Sequence, residues 1–222
     1  MNENKPSERL KKIRMKIIAF ISQKGGVGKS TLARLLATEA TKKKIKTLLA
    51  DCDHQQKTSW EWTQWRKENK ITPAITSQVF NQVKDIWTLT KQYDLIIIDA
   101  PARTSQATLE IAQKADLIIQ PVGASRDDLL PALREFNALK AQGINQNKLL
   151  FVLNHLSTPA EVLATQEYLT ESTYSFAPFY LSERASYRQA QSEGKSVGEV
   201  SYPGLKKQTQ KLANYLLKKV EV

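Results

Sequence analysis

The sequence is poor in cysteine, in long apolar runs and in acidic residues. Cys52 is the single cysteine of the 222 residues, so the chain has no internal disulfide framework, and a reducing cytoplasm is the expected compartment. No apolar run approaches the roughly 20 residues that cross a bilayer. Acidic residues number 22 against 33 Lys and Arg, which gives a formal net charge of +11. This excess favours a polyanionic partner, either nucleic acid or an acidic membrane surface.

The remaining composition is that of an ordinary globular domain. Hydrophobic residues make up 41% of the chain and charged residues 25%. The length fits one α/β domain with a substantial core, and we find no internal repeat, low-complexity linker or second domain. We expect residues 1–14 to form a polar, basic and flexible tail and residues 15–222 to form the single folded domain.

Short apolar runs alternate with longer stretches of helical periodicity, which indicates an α/β fold: a mostly parallel, twisted sheet with helices on both faces. The predicted strands cover residues 16–22, 45–50, 74–77, 94–99, 116–120, 148–153 and 175–179. The predicted helices cover residues 29–43, 56–70, 81–90, 105–114, 127–142, 159–170, 184–193 and 204–219. The run from Leu95 to Ile98 is apolar on consecutive positions, as a central strand buried on both faces requires.

A glycine-rich loop follows the first predicted strand and opens the first predicted helix. Its sequence is Gly25-Gly26-Val27-Gly28-Lys29-Ser30-Thr31, preceded by Lys24. In this context glycines let backbone N–H groups turn inward and cradle phosphates, which predicts a P-loop that binds a nucleoside triphosphate. Lys29 is expected to reach the β- and γ-phosphates, and the Ser30 hydroxyl is expected to hold Mg²⁺. The alternative is a glycine turn with an accidental Lys-Ser, which the flanking strand and helix disfavour.

Acidic residues end two of the predicted strands. Asp99 follows a buried strand and is expected to bind Mg²⁺ through water, although a plain strand cap is the alternative. Asp51 and Asp53 end the second strand near the same edge of the sheet. One of these two carboxylates can orient the attacking water while the other serves Mg²⁺ or the switch loop. The alternative for this pair is helix capping before Gln56.

With these motifs in place, the sequence resembles the ParA/MinD family of deviant-Walker P-loop ATPases, and its size and layout resemble the small plasmid-type ParA partition proteins. The motifs that carry the resemblance are the loop from Lys24 to Thr31, Asp51-Cys52-Asp53-His54-Gln55, Ile98-Asp99-Ala100-Pro101, Pro121-Val122, Asn154 and Glu193-Gly194-Lys195-Ser196-Val197. The resemblance covers residues 16–219 and implies a ParA-type ATPase domain over residues 15–222. Its most specific element is Lys24, a second lysine that ordinary P-loops lack.

The resemblance also implies roles for single residues. Lys24 is implied to reach across an ATP-sandwich homodimer, where a cation supplied in trans stabilises the transferring phosphate only when the dimer closes. Asp53 is implied to position the water, with Asp51 as the neighbouring switch carboxylate. The implied adenine contacts are Asn154, Tyr180 and Leu181, the last two in a segment that closes over the base.

There are two departures from the family pattern, His54 in place of proline and Ser30 in place of the commoner threonine. For His54, a proton-transfer role and a plain loop histidine both stay open.

The basic C-terminal region bears on the choice of partner. Residues 183–222 contain eight Lys and Arg against four Glu. The candidate DNA-binding residues are Arg184, Arg188, Lys206, Lys207, Lys211, Lys218 and Lys219. Dispersed cations suit nonspecific DNA, and the spacing of Arg184 and Arg188 places both on one predicted helix face. As a membrane anchor the last helix is short of bulky apolar residues and lacks an aromatic belt, so a docked terminal helix with a solvated basic face explains it better.

Four functions remain open at this point. The first is a cytoplasmic, nucleoid-associated ATPase for plasmid or chromosome partition, whose hydrolysis a ParB-like centromere-binding or adaptor protein stimulates. We expect such a partner to read specific DNA, because only residues 1–15 precede the first predicted strand and leave no room for a helix-turn-helix. The others are the same switch positioning a protein cargo, a MinD-like membrane-cycling regulator, and a metabolic P-loop enzyme. The cluster of Trp60, Trp62 and Trp65 predicts helix burial, with a dimer or partner contact as the alternative.

Overall fold

The structure, a computed structural model, describes residues 14–102 and 106–222. Within these ranges seven strands form one sheet in the order β3-β2-β4-β1-β5-β6-β7, and every pairing is parallel. The strands are β1 (Lys16–Phe20), β2 (Thr47–Asp51), β3 (Ser77–Val79), β4 (Leu95–Asp99), β5 (Leu117–Val122), β6 (Leu149–Leu153) and β7 (Ser175–Phe176). Nearly all of the predicted N-terminal tail, residues 1–13, lies outside the described residues.

Helices follow the strands and confirm the predicted α/β fold class. They are α1 (Lys29–Lys42), α2 (Thr58–Glu68), α3 (Gln106–Lys114), α4 (Arg126–Ala141), α5 (Pro159–Glu171), α6 (Ala185–Ser192) and α7 (Pro203–Lys219). Short 3-10 segments cover Val83–Leu89, Gln146–Lys148 and Val197–Glu199. The first residue of the helix predicted over 105–114 lies outside the described residues. In the described part of the chain, no helix combines the length and the hydrophobicity needed to span a bilayer.

Successive side chains along the strands pack into two hydrophobic cores, one on each face of the sheet. Ile17 and Ala19 of β1 pack with α3, α4 and α5, while Ile18 and Phe20 pack with α1, α2, α6 and α7. The central strands are therefore covered on both faces, which explains the consecutive apolar residues of β4. In the parallel register Asp99 lies beside both Phe20 and Asp51, so the carboxyl ends of β1, β2 and β4 meet at one edge.

The helix predicted over residues 81–90 is a 3-10 segment, Val83–Leu89, rather than an α-helix. The hydroxyl groups of Thr88 and Thr90 each donate to the carbonyl oxygen three residues earlier, at 2.7 and 2.9 Å. Such local bonds compete with the i−4 pattern of an α-helix. Only Val83 and Ile86 of the segment are buried. Tertiary packing therefore adds little stability to an α-helix at this place.

The three tryptophans of α2 divide into one core residue and two surface residues. Trp62 is fully buried, and its indole Nε1 donates to the Lys195 carbonyl oxygen at 3.2 Å. Trp60 and Trp65 are 36% and 42% exposed. The predicted burial is therefore confirmed for Trp62 alone.

Candidate nucleotide-binding site

The glycine loop, the N-terminus of α2 and the ends of β4 and β6 surround a cleft of about 330 Å³. Its lining residues are Gly25, Gly26, Gly28, Lys29, Ser30, Thr31, Arg34, Asp53, Gln56, Thr58, Asp99, Ala100, Ala102 and His155. The cleft therefore brings together most of the predicted loop residues with two of the three predicted acidic residues. Polar groups from several strand ends converge there, as in the ligand sites of open α/β sheets.

Gly28 and Asn154 fix the shape of the loop. Gly28 has φ of +101°, a left-handed conformation that favours glycine, and a side chain there would collide with the Asn154 amide. Asn154 is 2% exposed, and its Nδ2 donates to the Val27 carbonyl oxygen at 2.7 Å. In this structure Asn154 therefore supports the loop from behind, and its predicted adenine contact stays a prediction.

Lys29 lies on the floor of the cleft. Its side chain is buried, and its Nζ is 3.5 Å from the carbonyl oxygens of Ser22 and Lys24. Burial lowers the pKa of Lys29, against the raising influence of Asp99 and other nearby carboxylates. A buried ammonium group with only weak carbonyl partners is suited to binding anionic phosphate oxygens.

Asp99 has the features of a metal-binding carboxylate. It is 2% exposed, its Oδ2 accepts from the Ser59 hydroxyl at 2.6 Å, and its Oδ1 is buried without a partner among the described residues. Burial raises the pKa of Asp99, against hydrogen bonds from Ser59 and Ser30. An orphaned carboxylate oxygen beside a loop hydroxyl fits Mg²⁺, which prefers oxygen ligands. The described residues contain no cluster of three or more His, Cys, Asp or Glu able to hold a metal.

Asp51 and Asp53 have different surroundings. Asp51 is fully buried, and its carboxylate accepts from the backbone N–H groups of Asp53, Ser59 and Trp60 at 2.9–3.0 Å. Burial and the charge of Asp99 raise the pKa of Asp51 to about 6. This geometry favours the helix-capping alternative for Asp51, because its oxygens hold the first turn of α2 and it does not line the cleft. Asp53 lines the cleft, and its Oδ1 accepts from the Gln56 N–H at 3.1 Å.

Lys24 lies at the rim of the loop rather than in the cleft. Its Nζ forms an ion pair with Asp128 Oδ1 at 2.5 Å, and the two side chains are 46% and 19% exposed. Asp128 belongs to the first turn of α4, and its Oδ2 accepts from the Ser125 hydroxyl at 2.8 Å. Although burial opposes it, these hydrogen bonds and the charge of Lys24 lower the pKa of Asp128. In this structure Lys24 is therefore held by its own subunit, a contact that the sequence did not predict.

His155 also lines the cleft and was missed from the sequence, although it directly follows Asn154. It has φ of +59°, and its Nδ1 contacts a carboxylate oxygen of Glu183, whose other oxygen pairs with Arg188. His155 therefore connects the loop to α6. Arg34 was missed as well, and it lines the cleft while its guanidinium group stacks over the Trp62 ring at 5.7 Å.

The structure does not bring Tyr180 and Leu181 to the cleft. Leu181 is 1% exposed in the core, and its backbone N–H donates to the Leu153 carbonyl oxygen at 3.0 Å. Tyr180 lines a separate groove along α7, where its carbonyl oxygen accepts from Gln208 Nε2 at 2.9 Å. Neither residue lines the cleft in this structure, and the predicted base contact of this segment stays a prediction.

The basic residues of the C-terminal region fall into two groups. Arg184 is the extended N-cap residue before α6, so it does not share a helix face with Arg188, contrary to the prediction. Arg188 is paired with Glu183. The lysines of α7 are all exposed and form no ion pair with any described residue: Lys206, Lys207, Lys211, Lys218 and Lys219. Most of the unpaired positive charge of this region therefore lies on α7, and exposed Arg184, which forms no ion pair with a described residue, adds to it.

The fold and the loop define the class of protein: an α/β protein with a P-loop for nucleotide phosphates. A family model described as "CobQ/CobB/MinD/ParA nucleotide binding domain" matches residues 18–197, and the chain belongs to this family. This confirms the family resemblance inferred from the motifs.

Several relatives and solved structures are similar to the chain. Protein ParA of Rhizobium radiobacter is 29% identical over 112 residues, a match that spans 49% of each protein. Maintenance of carboxysome distribution protein A of Gloeobacter kilaueensis is 26% identical over 178 residues, 79% of this chain and 81% of the relative. The structure of MinD with Mg-ADP from Pyrococcus horikoshii matches with a TM-score of 0.73, 17% identity and coverage of 94% and 100% of the two chains. A ParA family ATPase from Chlorobium tepidum matches with a TM-score of 0.70, 16% identity and coverage of 90% and 99%.

Proposed function

We propose that the protein is an ATP-dependent dimerising switch that binds nonspecific DNA in its ATP state. In this proposal it is a cytoplasmic, nucleoid-associated ATPase that drives plasmid or chromosome partition. A ParB-like partner stimulates hydrolysis and thereby releases the dimer from DNA. The observation that carries the proposal is the position of Lys24, an exposed cation at the rim of a phosphate-binding cleft that already contains Lys29.

Residues of the cleft have separable tasks in this proposal. Lys29 binds the β- and γ-phosphates, and Asp53 orients the attacking water from the open side of the cleft. Ser30 and Asp99 hold Mg²⁺, which supplies charge neutralisation for the phosphates when bound. Lys24 of one subunit contributes the second cation to the nucleotide of the partner subunit, so hydrolysis depends on the closed dimer. Lys24 is suited to this task because its side chain is 46% exposed, and ion pairs near the surface contribute little stability.

The support for a DNA partner is the charge of α7. This helix carries five lysines and no acidic residue, and its lysines are exposed and free of ion pairs with the described residues. Cations spread along an exposed helix neutralise phosphates without reading bases. The apolar residues of α7, including Leu212, Leu216 and Leu217, are buried in the core. They are therefore not available to insert into a lipid surface, which disfavours the membrane-cycling alternative.

The test is DNA binding by the purified protein with ADP, ATP or a slowly hydrolysed ATP analogue, measured across salt. We expect binding with ATP and Mg²⁺ at low salt, a weaker complex with ADP, and a salt slope that reports the phosphate contacts. The absence of any ATP-dependent mobility shift at low salt overturns the DNA part of the proposal.

A second test is the Lys24→Ala variant. It is expected to retain most of the ATP affinity while losing dimerisation and hydrolysis. Wild-type hydrolysis by this variant overturns the role of Lys24 at the partner subunit's nucleotide.

A second candidate is the same switch acting on a protein cargo. It is favoured by the similarity to maintenance of carboxysome distribution protein A, which extends over 79% of the chain. The nucleotide chemistry is the same in both proposals, so the two differ only in the partner that stimulates hydrolysis. Affinity capture with the ATP-locked protein distinguishes them, because a centromere-binding protein supports partition and a structural protein of a cargo supports positioning.

A further inference from the structure

Two hydroxyl groups from different helices meet at the metal-binding corner of the cleft. Ser30 Oγ lies in the first turn of α1, and Thr58 Oγ1 belongs to the first residue of α2. The two oxygens are 3.2 Å apart. Adjacent ligands of an octahedral Mg²⁺, each about 2.1 Å from the ion, lie about 3.0 Å from one another. The pair is therefore spaced much like two neighbouring ligands of one ion.

The backbone holds Thr58 in this position independently of Ser30. Asp51 Oδ2 accepts from the N–H groups of Ser59 and Trp60, each at 2.9 Å, which fixes the first turn of α2. The Lys57 N–H donates to the Asp53 carbonyl oxygen at 2.7 Å, which fixes the residue before the helix. Thr58 itself is only partly buried and lines the cleft. Its hydroxyl is thus presented by a preorganised backbone, as metal ligands usually are.

Ser59, which follows Thr58, links the start of α2 to Asp99. Ser59 donates to Asp99 Oδ2 at 2.6 Å, which leaves the buried Oδ1 of Asp99 as the oxygen without a partner among the described residues. Ser30, Thr58 and Asp99 all line the same cleft. Two neutral oxygens and one carboxylate oxygen are ligands that suit a hard divalent cation.

We propose that Thr58 is a further Mg²⁺ ligand, whose hydroxyl coordinates the ion together with Ser30. This inference rests on the ATP–Mg²⁺ site of the proposed function and adds to it a contact from α2. In this structure the two hydroxyls bond to one another. Both hydroxyl oxygens would hold the ion when it binds, and the start of α2 would then be tied to the nucleotide site. Thr58 thus makes the position of α2 sensitive to metal, in a helix whose preceding loop carries Asp53.

The test measures metal affinity rather than turnover. The Thr58→Val and Thr58→Ser variants and the wild type are saturated with ADP, and Mn²⁺ binding is followed by the loss of the free-ion signal in electron paramagnetic resonance. We expect Thr58→Val to bind Mn²⁺ about tenfold more weakly, since losing a group that supports a metal site typically costs 10- to 100-fold in affinity. Thr58→Ser keeps the hydroxyl and is expected to retain most of the affinity. ADP affinity in EDTA is expected to be the same in all three proteins.

Matched controls separate the metal contact from a general effect on the helix. Thr41→Val makes the same change in α1, where the hydroxyl donates to the Ala37 carbonyl oxygen at 2.8 Å, and we expect wild-type Mn²⁺ affinity. If Thr58→Val lowers the melting temperature, Thr58→Ala repeats the measurement. Wild-type Mn²⁺ affinity in a folded Thr58→Val or Thr58→Ala protein overturns the inference while the ATP–Mg²⁺ site stands. A wild-type protein that binds neither ADP nor Mn²⁺ overturns the proposed function itself.

Discussion

The two sides of the P-loop are built differently. On the metal side, Ser30 bonds to Thr58, buried Ser59 donates to buried Asp99, and Asp51 holds the start of α2 from below. On the rim side, Lys24 pairs with Asp128, and His155 pairs with Glu183, through side chains that are between 19% and 46% exposed. Both sides contain charged groups at short distances from their partners. The two sides differ in how deeply these groups are buried.

This difference determines how easily each side moves. Leaving a buried polar group without its hydrogen-bond partner costs about 1–3 kcal/mol, and more for a charged group, whereas an exposed ion pair contributes about 0.2–1 kcal/mol. The metal side is therefore expected to keep its geometry, while Lys24 is expected to exchange partners at little cost. A fixed metal site and a movable cation are the two properties that the proposed switch requires.

The largest expected effect concerns the far end of α2, which anchors the metal side. Arg66 is 1% exposed, and its guanidinium group donates to both carboxylate oxygens of Glu199 at 2.7 and 2.8 Å. We expect Arg66→Met to lower the free energy of unfolding by about 3–5 kcal/mol, because Glu199 keeps its charge in a mostly buried position. Denaturant unfolding measures this loss, with the exposed neighbour Lys67→Met as the control. A loss below about 1 kcal/mol contradicts the anchoring role.

The next effect concerns the floor of the cleft. Lys29→Ala is expected to weaken ATP binding about 100-fold, because a charge-assisted hydrogen bond is worth up to about 3 kcal/mol. Titration calorimetry with a slowly hydrolysed analogue measures the affinity. Lys43→Ala, at the exposed C-terminus of α1, is the matched control and is expected to bind like the wild type. Equal affinities in the two variants contradict the phosphate-binding role of Lys29.

The sequence predicted the buried parts of this comparison well, because hydrophobic periodicity and motif spacing are local. The order of strands and helices and the position of the glycine loop all follow from patterns within about 20 residues. Asp99 was found in the same way, since it ends an apolar run. The family resemblance, carried by Lys24 and the neighbouring motifs, was confirmed by the match over residues 18–197.

The sequence failed where a role depends on contacts between distant residues. Asp51 and Asp53 look alike in sequence, and only the position of α2 makes Asp51 a helix cap. The Lys24–Asp128 pair joins residues that are 104 positions apart, and no local sequence pattern predicts such a contact. Leu181 is a case where a role implied by a family falls on a residue whose side chain is buried in the core, so its base contact stays a prediction.

Acid provides a smaller and reversible test of the anchor at the end of α2. Although burial opposes it, the hydrogen bonds from Arg66 and the Ser196 N–H lower the pKa of Glu199 below its ordinary value. A lowered carboxyl pKa adds stability above the pKa of the unfolded state, and this stability is lost as pH falls through the pKa of the folded state. We expect the free energy of unfolding to fall with acid less steeply in Glu199→Gln than in the wild type. If the free energy of unfolding depends on pH in the same way in both proteins, the lowered pKa of Glu199 does not contribute to acid sensitivity.

The smallest expected effect concerns the rim. Asp128→Asn removes the carboxylate that holds Lys24, and with it an exposed pair worth about 0.2–1 kcal/mol. If Lys24 must leave Asp128 before it reaches the partner subunit, ATP-dependent dimerisation becomes up to about fivefold stronger in this variant. Asp127→Asn makes the same change one residue earlier on the exposed surface of α4, where no ion pair with a described residue is lost, and is expected to dimerise like the wild type. Sedimentation with a slowly hydrolysed ATP analogue measures both. Weaker dimerisation in Asp128→Asn alone means that Asp128 aims Lys24 at the partner rather than restraining it, and the rim is then as fixed as the metal side.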